Sequence, residues 1–174
     1  IYDTGADVWS VAISDTGSNF VAVGGSGSSF IHSFDGHDGS LLWDKEVAGF
    51  VATVEISADG QYFAAGSNSG KLFLFSSEDS TPLWEYTALA QIVSVDISAD
   101  GEYLAAGSWD DNVYFFERGN STPLFSYFTG EDVGSVSLSA NGSYLVANSA
   151  WSPYVYFFNT QNHTLMWNFE TPNV

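Results

Sequence analysis

The stretch Val95-Asp-Ile-Ser-Ala-Asp-Gly-Glu-Tyr-Leu-Ala-Ala106 contains the features that decide the fold. Apolar and polar residues alternate in Val95-Asp-Ile-Ser98, the pair Asp100-Gly101 follows, and a second apolar run comes next. Asp and Gly supply the backbone conformations that a tight hairpin requires. The stretch therefore predicts two antiparallel strands joined by a hairpin turn.

The first strand of this hairpin recurs four times along the chain. It reads Val11-Ala-Ile-Ser14, Val54-Glu-Ile-Ser57, Val95-Asp-Ile-Ser98 and Val136-Ser-Leu-Ser139. In each copy a turn pair, a return strand and a third strand follow. The fourth strand of each copy is centred on an aromatic residue, namely Trp43, Trp84, Phe125 and Trp167. Four short strands repeated at a period of about 42 residues predict radially arranged antiparallel sheets.

We therefore predict an all-β fold, a β-propeller of four four-stranded antiparallel blades, as a single domain over residues 1–174. The repeats are expected at approximately 6–50, 51–91, 92–132 and 133–174. Four blades lie within the range of known propellers, so the chain either closes on itself or forms part of a larger ring. In a larger ring the end blades need cover from a second copy or from further blades.

The first residues of the chain resemble a junction between blades. Tyr2-Asp-Thr-Gly-Ala-Asp-Val8 is similar to Tyr127-Phe-Thr-Gly-Glu-Asp-Val133, which joins the third repeat to the fourth. The chain is therefore expected to begin with the tail of a preceding blade. This pattern favours four blades from a larger ring, and an eight-bladed ring of two copies is one such arrangement.

Charge excludes several classes of partner. Asp and Glu number 21 against three Lys and Arg, so the net charge is −18. Lys and Arg supply most of the affinity for phosphate groups, which argues against nucleic acids and anionic membrane surfaces. No run of 18 apolar residues is present, so we expect no membrane insertion. The acidic composition and three N-glycosylation patterns, at Asn120, Asn141 and Asn162, favour an extracellular or cell-surface location.

The third repeat resembles a WD-type propeller repeat over the stretch from Val95 to Phe116. It keeps a Gly-Ser-x-Asp feature as Gly107-Ser-Trp-Asp110, but Phe116-Glu117 replaces the Trp-Asp dipeptide that gives the family its name. The resemblance implies a propeller whose blades are held by aromatic packing, without the buried polar network that this family often uses.

The first and fourth repeats resemble a second family, the pyrroloquinoline-quinone-type propeller repeats. The stretches that carry this likeness are Phe30-Ile-His-Ser-Phe-Asp-Gly-His-Asp-Gly-Ser-Leu-Leu-Trp43 and Val155-Tyr-Phe-Phe-Asn-Thr-Gln-Asn-His-Thr-Leu-Met-Trp167. The implied fold is the same. The function that this second resemblance implies is not the same as for the WD-type repeat, because the second family includes quinone-dependent dehydrogenases as well as non-catalytic scaffold lipoproteins.

The chain offers little reactive chemistry. It contains three His and no Cys. We predict that His32 is a packed or rim residue of the third strand and that His163 is solvated in a turn. The loop Asp35-Gly-His-Asp-Gly39 lacks the spaced oxygen ligands of a calcium loop, so it is interpreted as a turn. We expect no catalytic residue, no metal site and no cofactor.

Three tryptophans fall outside the repeating core positions and are candidates for binding. Trp9 is placed before the first strand, and Trp109 and Trp151 are placed in loops between second and third strands. In a propeller these loops share one face with the connections between blades. The candidate face contains Trp9, Phe50, Trp109, Asp110, Asp111, Glu131, Asp132, Trp151 and Tyr154. Aromatic side chains rimmed by polar groups suit protein or carbohydrate recognition, and a loop Trp can alternatively cover the end of its blade.

These observations predict a non-catalytic propeller scaffold or binding module for a protein or glycan partner. A second interpretation makes the chain part of a quinone-dependent dehydrogenase, whose cofactor site would need additional blades. A third makes it a purely structural repeat of an extracellular protein. Repeat scaffolds need no reactive residues, which favours the first interpretation.

Overall fold

A computed structural model describes residues 2–5, 7–24 and 29–172, and all sixteen regular elements in these ranges are β-strands. The strands form four antiparallel sheets, each containing four strands that are consecutive in sequence. The prediction of an all-β fold with four four-stranded blades is confirmed. No helix in the described ranges is long and apolar enough to cross a membrane.

Each sheet is one blade, and its strands run in order from the innermost to the outermost. Blade one contains β1 (Val8–Ile13), β2 (Asn19–Gly24), β3 (Phe30–Asp35) and β4 (Leu41–Glu46). Blade two contains β5 (Val51–Ile56), β6 (Tyr62–Ser67), β7 (Lys71–Ser76) and β8 (Trp84–Thr87). Blade three contains β9 (Ile92–Ile97), β10 (Tyr103–Ser108), β11 (Asn112–Glu117) and β12 (Phe125–Phe128). Blade four contains β13 (Val133–Leu138), β14 (Tyr144–Ser149), β15 (Tyr154–Asn159) and β16 (Thr164–Glu170).

The turn between the first two strands of a blade explains the repeated sequence. In blade three the hydroxyl of Ser98 donates to Asp100 at 2.7 Å, and the same carboxylate accepts the backbone N–H of Glu102 at 3.0 Å. Gly101 has a φ of 67°, which a glycine adopts without strain. The Ser98 hydroxyl and the Glu102 N–H hold the pKa of Asp100 below its ordinary value. The turn therefore depends on Ser, Asp and Gly at fixed spacing.

Each innermost strand carries a β-bulge near its start. In β1 the register shifts between Val8 and Ser10, which makes Trp9 the bulged residue. Equivalent shifts occur in β5, β9 and β13. The placement of Trp9 before the first strand was therefore wrong, because the extra residue of the bulge extends β1 to Val8.

The hydrophobic core lies between blades. Each blade has a leading face, which packs on the preceding blade, and a trailing face, which packs on the next. Trp43 of blade one stacks on Phe63 of blade two with ring centroids 5.3 Å apart. Leu72 of blade two shares a buried cluster with Val95 of blade three. Because each buried aliphatic or aromatic side chain contributes about 1.5–3 kcal/mol, the blades stabilise one another through these clusters.

Backbone hydrogen bonds link successive blades near the centre of the arc. The N–H of Asp15 donates to the carbonyl of Ala58 at 3.0 Å, that of Ala58 to Ala99 at 3.0 Å, and that of Ala99 to Ala140 at 2.8 Å. Side chains add to the linkage, since Ser10 accepts the N–H of Val54 at 3.3 Å. The geometry of one junction is thus repeated at the others.

The four blades form an open arc. In the described part of the chain, no shared core joins the fourth sheet to the first. Val11 of β1 is 67% exposed, whereas its equivalent Val54 in β5 is 1% exposed. The alternative of four blades closed on themselves was therefore wrong, because such a ring would bury Val11 against blade four.

Tyr2 packs on the leading face of blade one. Its ring lies 5.2 Å from Phe34 and 5.7 Å from His32. Tyr86 packs on Phe116 at 5.1 Å in the same way at the junction of blades two and three. Tyr2 therefore occupies the position that an outer-strand tyrosine of a preceding blade takes elsewhere.

Candidate binding surface

Six connections that the structure describes in full lie at one end of the blades, and we call this end the loop face. Strands alternate in direction, so the loops between second and third strands lie at the same end as the connections between blades. The hairpin face is the opposite end. The fully described connections of the loop face are 47–50, 68–70, 88–91, 109–111, 129–132 and 150–153.

Hydrogen bonds join these six connections in sequence order. The backbone N–H of Asn68 donates to Phe50 at 2.9 Å, and that of Ala88 donates to Gly70 at 2.9 Å. The remaining links are from Trp109 to Gln91 at 3.0 Å, from Thr129 to Asp111 at 2.8 Å, and from Ala150 to Asp132 at 2.7 Å. Each connection is therefore held by its neighbour, which makes the loop face a continuous ridge.

Asp110 fixes the connection that carries Trp109. One of its carboxylate oxygens accepts the backbone N–H of Leu89 at 2.9 Å and the hydroxyl of Tyr114 at 2.7 Å. Burial, together with this bond to Asp110, raises the pKa of Tyr114 above its ordinary value. Asp110 therefore positions two connections, while the Trp109 side chain remains 43% exposed.

Asp111 and Glu131 lie beside this connection on the ridge. Asp111 has a φ of 68°, and its carbonyl accepts hydrogen bonds from the backbone and hydroxyl of Thr129. The Thr129 hydroxyl also donates to the carbonyl of Glu131 at 2.6 Å. Hydrogen bonds to main-chain groups thus hold both residues in place, and the charged side chain of Glu131 is exposed to solvent.

Trp151 is the most exposed of the three candidate tryptophans, with 76% of its surface exposed. Its indole N–H donates to the carboxylate of Asp132 at 3.1 Å. The bond leaves most of the ring available for contact. An exposed indole held by a neighbouring carboxylate loses little conformational freedom on binding, which favours affinity.

The structure brings together seven of the nine candidate residues on blades three and four. Tyr154 is the first residue of β15, and its hydroxyl donates to Glu170 at 3.3 Å. The charge of Glu170 raises the pKa of Tyr154. Phe50 lies at the junction of blades one and two, and Trp9 lies on the innermost strand of blade one. These two residues belong to the other half of the arc.

Two exposed apolar residues of this surface were missed by the sequence analysis. Leu89 lies in the connection between β8 and β9 and is 93% exposed. Phe128 ends β12 and is exposed beside the next connection. A single leucine in a loop gives no periodic signal, and the bond from Leu89 to Asp110 joins residues that are distant in sequence.

The histidines and the turn at Asp35 show no assembled catalytic or metal centre. His32 is buried, and His163 is exposed and packs on Phe125 with centroids 5.4 Å apart. In the turn, Asp35 accepts the backbone N–H of His37 at 2.7 Å. Among the described residues, no three His, Cys, Asp or Glu side chains are grouped so that they could hold a metal ion.

Grooves open at the blade junctions on the hairpin face. The groove between blades one and two has a volume of about 460 Å³ and is lined by Trp43, Gln61 and Glu78, among others. Another lies between blades two and three, beside Trp84 and Arg118. The two faces therefore differ, because the hairpin face has grooves at the blade junctions and the loop face has exposed tryptophans.

Comparison with known families separates the two resemblances noted above. A family model described as outer membrane protein assembly factor BamB, of the PQQ-like repeat type, matches residues 2–174. A comparison with curated proteins finds no match. The WD-type assignment is not supported, and Asp110 bonds to Tyr114 and Leu89 instead of entering the polar network of WD repeats. The chain belongs to the PQQ-like β-propeller repeat family of the BamB type.

Proposed function

We propose that the chain is a non-catalytic propeller module that binds a protein partner on the loop face of blades three and four. The observation that carries this proposal is the position of Trp109 and Trp151. Both are exposed, and both are held on a ridge whose successive connections are hydrogen bonded to one another. Rigid exposed tryptophans are the side chains that most often dominate protein interfaces.

The chemistry of the ridge specifies the kind of partner. Leu89 and Trp109 lie on connections joined by hydrogen bonds and offer apolar contact area. Asp111 and Glu131 add negative charge beside them, in a chain whose net charge is −18. Complementary charge accelerates association and selects partners. The partner is therefore a protein segment that presents apolar and basic side chains.

The family supports a protein partner over a glycan. Its description names a factor in the assembly of outer membrane proteins, which is a role in handling other proteins. An extracellular or cell-surface location is part of the same proposal, and the acidic composition supports it. Glycan binding through the same tryptophans is the competing outcome that an experiment has to separate.

We also propose that the chain has no enzymatic role. In the described residues, His32 lies on β3 among aromatic rings, and His163 lies in the connection between β15 and β16 at the hairpin face, so neither lies beside the carboxylates of the ridge. A dehydrogenase assignment would require the quinone to bind. A thermal melt with pyrroloquinoline quinone and calcium is expected to show no shift, and a dose-dependent rise in melting temperature would overturn this part of the proposal.

The binding proposal is tested by selecting ligands from a random peptide display library and from a glycan array in parallel. Affinities of the selected ligands are then measured for the wild type and for the double variant Trp109→Ala, Trp151→Ala. Loss of two interface tryptophans is expected to weaken peptide binding by at least about tenfold. Selected peptides are expected to be rich in Lys, Arg and apolar residues.

The matched control is Trp167→Ala, which removes an exposed indole outside the loop face. It is expected to leave peptide affinity unchanged. Selection of glycans alone would replace the protein partner with a carbohydrate. Equal affinities for the wild type and the double variant would reject the loop face as the binding surface.

A further inference from the structure

We propose that Asn120, Asn141 and Asn162 carry N-linked glycans, which cover the hairpin face of blades three and four. Each of these residues begins an Asn-x-Ser/Thr pattern, which is an acceptor of N-linked glycans in secreted proteins. The inference therefore rests on the extracellular or cell-surface location proposed above. It concerns the face opposite the one to which the protein partner is assigned.

The three acceptor patterns all lie on the hairpin face. Asn120 lies in the connection between β11 and β12, Asn141 in the turn between β13 and β14, and Asn162 in the connection between β15 and β16. The sequence contains these three patterns and no other. Three of the four hairpin-face connections of blades three and four therefore contain an acceptor.

In each pattern the Ser or Thr two residues after Asn donates a hydrogen bond to the carboxamide oxygen. The backbone N–H of Thr122 donates to Oδ1 of Asn120 at 2.9 Å, and that of Ser143 donates to Oδ1 of Asn141 at 3.1 Å. Both asparagines are exposed. The carboxamide oxygen is therefore held by the turn while the residue stays at the surface.

The amide nitrogens of the three acceptors are not used by the fold. In the third pattern the Thr164 hydroxyl donates to Oδ1 of Asn162, which is exposed as well. Nδ2 of the three acceptors makes no hydrogen bond to the described residues. By contrast, Asn112 lies outside the patterns and donates from Nδ2 to the carbonyl of Asp110 at 2.8 Å. Each acceptor thus presents an unbonded amide nitrogen on an exposed turn.

The transfer needs a donor of one chemical class, an oligosaccharide linked to a lipid through a diphosphate. The Asn Nδ2 forms a bond to the anomeric carbon of the first sugar, and the bond from that carbon to the phosphate oxygen breaks. The lipid diphosphate leaves with the electron pair, and the amide gives one proton to a base of the transferase. The step needs no oxidant or reductant, and this chain supplies only the acceptor.

A groove between blades three and four gives the glycan on Asn141 a surface for its first sugar. The groove has a volume of about 160 Å³, and Asn141 forms part of its wall. Tyr103, Leu124 and His163 also line it. A sugar ring has apolar C–H faces and hydroxyl groups, so it suits a groove that combines apolar, aromatic and polar side chains. The first sugar is therefore expected to pack against these side chains.

Mass spectrometry of peptides from the natural protein tests the inference. The protein is isolated separately from the cell envelope, the medium and the cytosol. It is digested with a protease that cleaves after Asp and Glu, because three Lys and Arg give few cleavage sites. Peptides that contain Asn120, Asn141 or Asn162 are expected to retain sugar on Asn.

The three sites are judged separately. A peptide that is found only unmodified in the envelope and the medium overturns the assignment of its site and leaves the proposed location intact. A protein confined to the cytosol overturns the proposed location and this inference together. Because no peptide ligand is used, the result is independent of binding at the loop face.

Variants of the chain, secreted from a host that performs N-glycosylation, test whether the pattern is the acceptor. Asn141→Gln removes the amide, and Ser143→Ala removes the hydroxyl but keeps Asn141 and its bond to the backbone. Each is expected to lower the intact mass by one glycan. Asn168→Gln, at an exposed asparagine of β16 outside the patterns, is the matched control and is expected to keep all three glycans. An intact mass that neither Asn141→Gln nor Ser143→Ala lowers by a glycan would overturn the assignment of Asn141.

Discussion

The indole N–H of Trp43 in blade one donates to the backbone carbonyl of Ser77 in blade two at 2.8 Å. The Trp43 ring also stacks on Phe63 and lies 5.7 Å from Phe75. One side chain therefore supplies both packing and a directional bond across a junction. Trp84 repeats the arrangement with Arg118 at 2.6 Å.

Substitutions at Trp43 are expected to separate these two contributions. Trp43→Phe keeps ring packing and removes the bond to Ser77, so it is expected to lower the free energy of unfolding by about 1 kcal/mol. Trp43→Ala also removes the ring from a partly buried site and is expected to cost about 3 kcal/mol. Urea unfolding followed by circular dichroism measures both.

Blade three provides a natural precedent, because Phe125 occupies the equivalent position and packs on Phe158 with centroids 5.9 Å apart. Trp9→Phe is the control, since Trp9 is exposed and outside the junction core. Equal losses for Trp43→Phe and Trp43→Ala would mean that the indole bond, and not ring packing, holds the junction.

Glu55 is expected to make the fold less stable as the pH rises. Glu55 lies on the innermost strand β5. Partial desolvation of its carboxylate, and to a smaller extent the nearby negative charge of Asp96, raise the pKa of Glu55 from 4.5 to about 7. The folded state thus binds the proton more tightly than the unfolded state. The stability that Glu55 contributes is complete below pH 4.5 and is lost as the pH rises through 7.

The variant Glu55→Gln removes this dependence. At pH 8 it is expected to be more stable than the wild type, by no more than about 1 kcal/mol because the carboxylate is only partly desolvated and solvent still screens its charge. At pH 4 the two proteins are expected to melt at similar temperatures. Melting curves from pH 4 to 8 measure the difference, and a wild type whose stability relative to Glu55→Gln does not fall between pH 5 and 8 would contradict the assignment.

His32 is expected to act in the opposite direction. Both ring nitrogens are buried and have no hydrogen-bond partner among the described residues, and the ring lies between Tyr2 and Phe30. Burial lowers its pKa below 6.5, and the charge of Asp44 offsets part of this effect. The folded state therefore favours the neutral ring. Its contribution to stability is complete above pH 6.5 and is lost as the pH falls below that value.

His32→Phe is expected to stabilise the fold, because it removes an unsatisfied polar group and matches Phe73 at the equivalent position of blade two. The gain is expected to be about 1 kcal/mol at neutral pH and larger at pH 5. Melting temperatures at both pH values measure it. His37→Phe, in an exposed turn, is the control, and a gain that does not increase at pH 5 would indicate that His32 is not buried in its neutral form.

Much of the fold could be predicted from the sequence because the signals are local and repeated. The run from Val95 to Ala106 contains a strand, a turn and a return strand, and three other copies confirm the pattern. The bulge at Trp9 could not be predicted, since it follows from strand pairing and leaves no mark in the composition. The likeness of Tyr2–Val8 to Tyr127–Val133 favoured part of a larger ring, but it left a closed four-bladed ring open as an alternative, because closure depends on the angle between blades and not on any one residue.

The candidate surface was predicted in part. Trp109 and Trp151 could be found because they interrupt the repeat in loops of known placement. The role of Asp110 could not, because its partners Leu89 and Tyr114 are identified only by the folded positions of two connections. Leu89 was missed for the same reason.

Hydrogen–deuterium exchange with and without the tightest peptide from the display selection tests the central claim, that the loop face of blades three and four is the binding surface. Exchange is expected to slow at residues 88–91, 109–111, 129–132 and 150–153. It is expected to stay unchanged at the turns of the hairpin face, residues 57–61, 98–102 and 139–143. Slower exchange at those turns, with no change in the four connections of the loop face, would contradict the account.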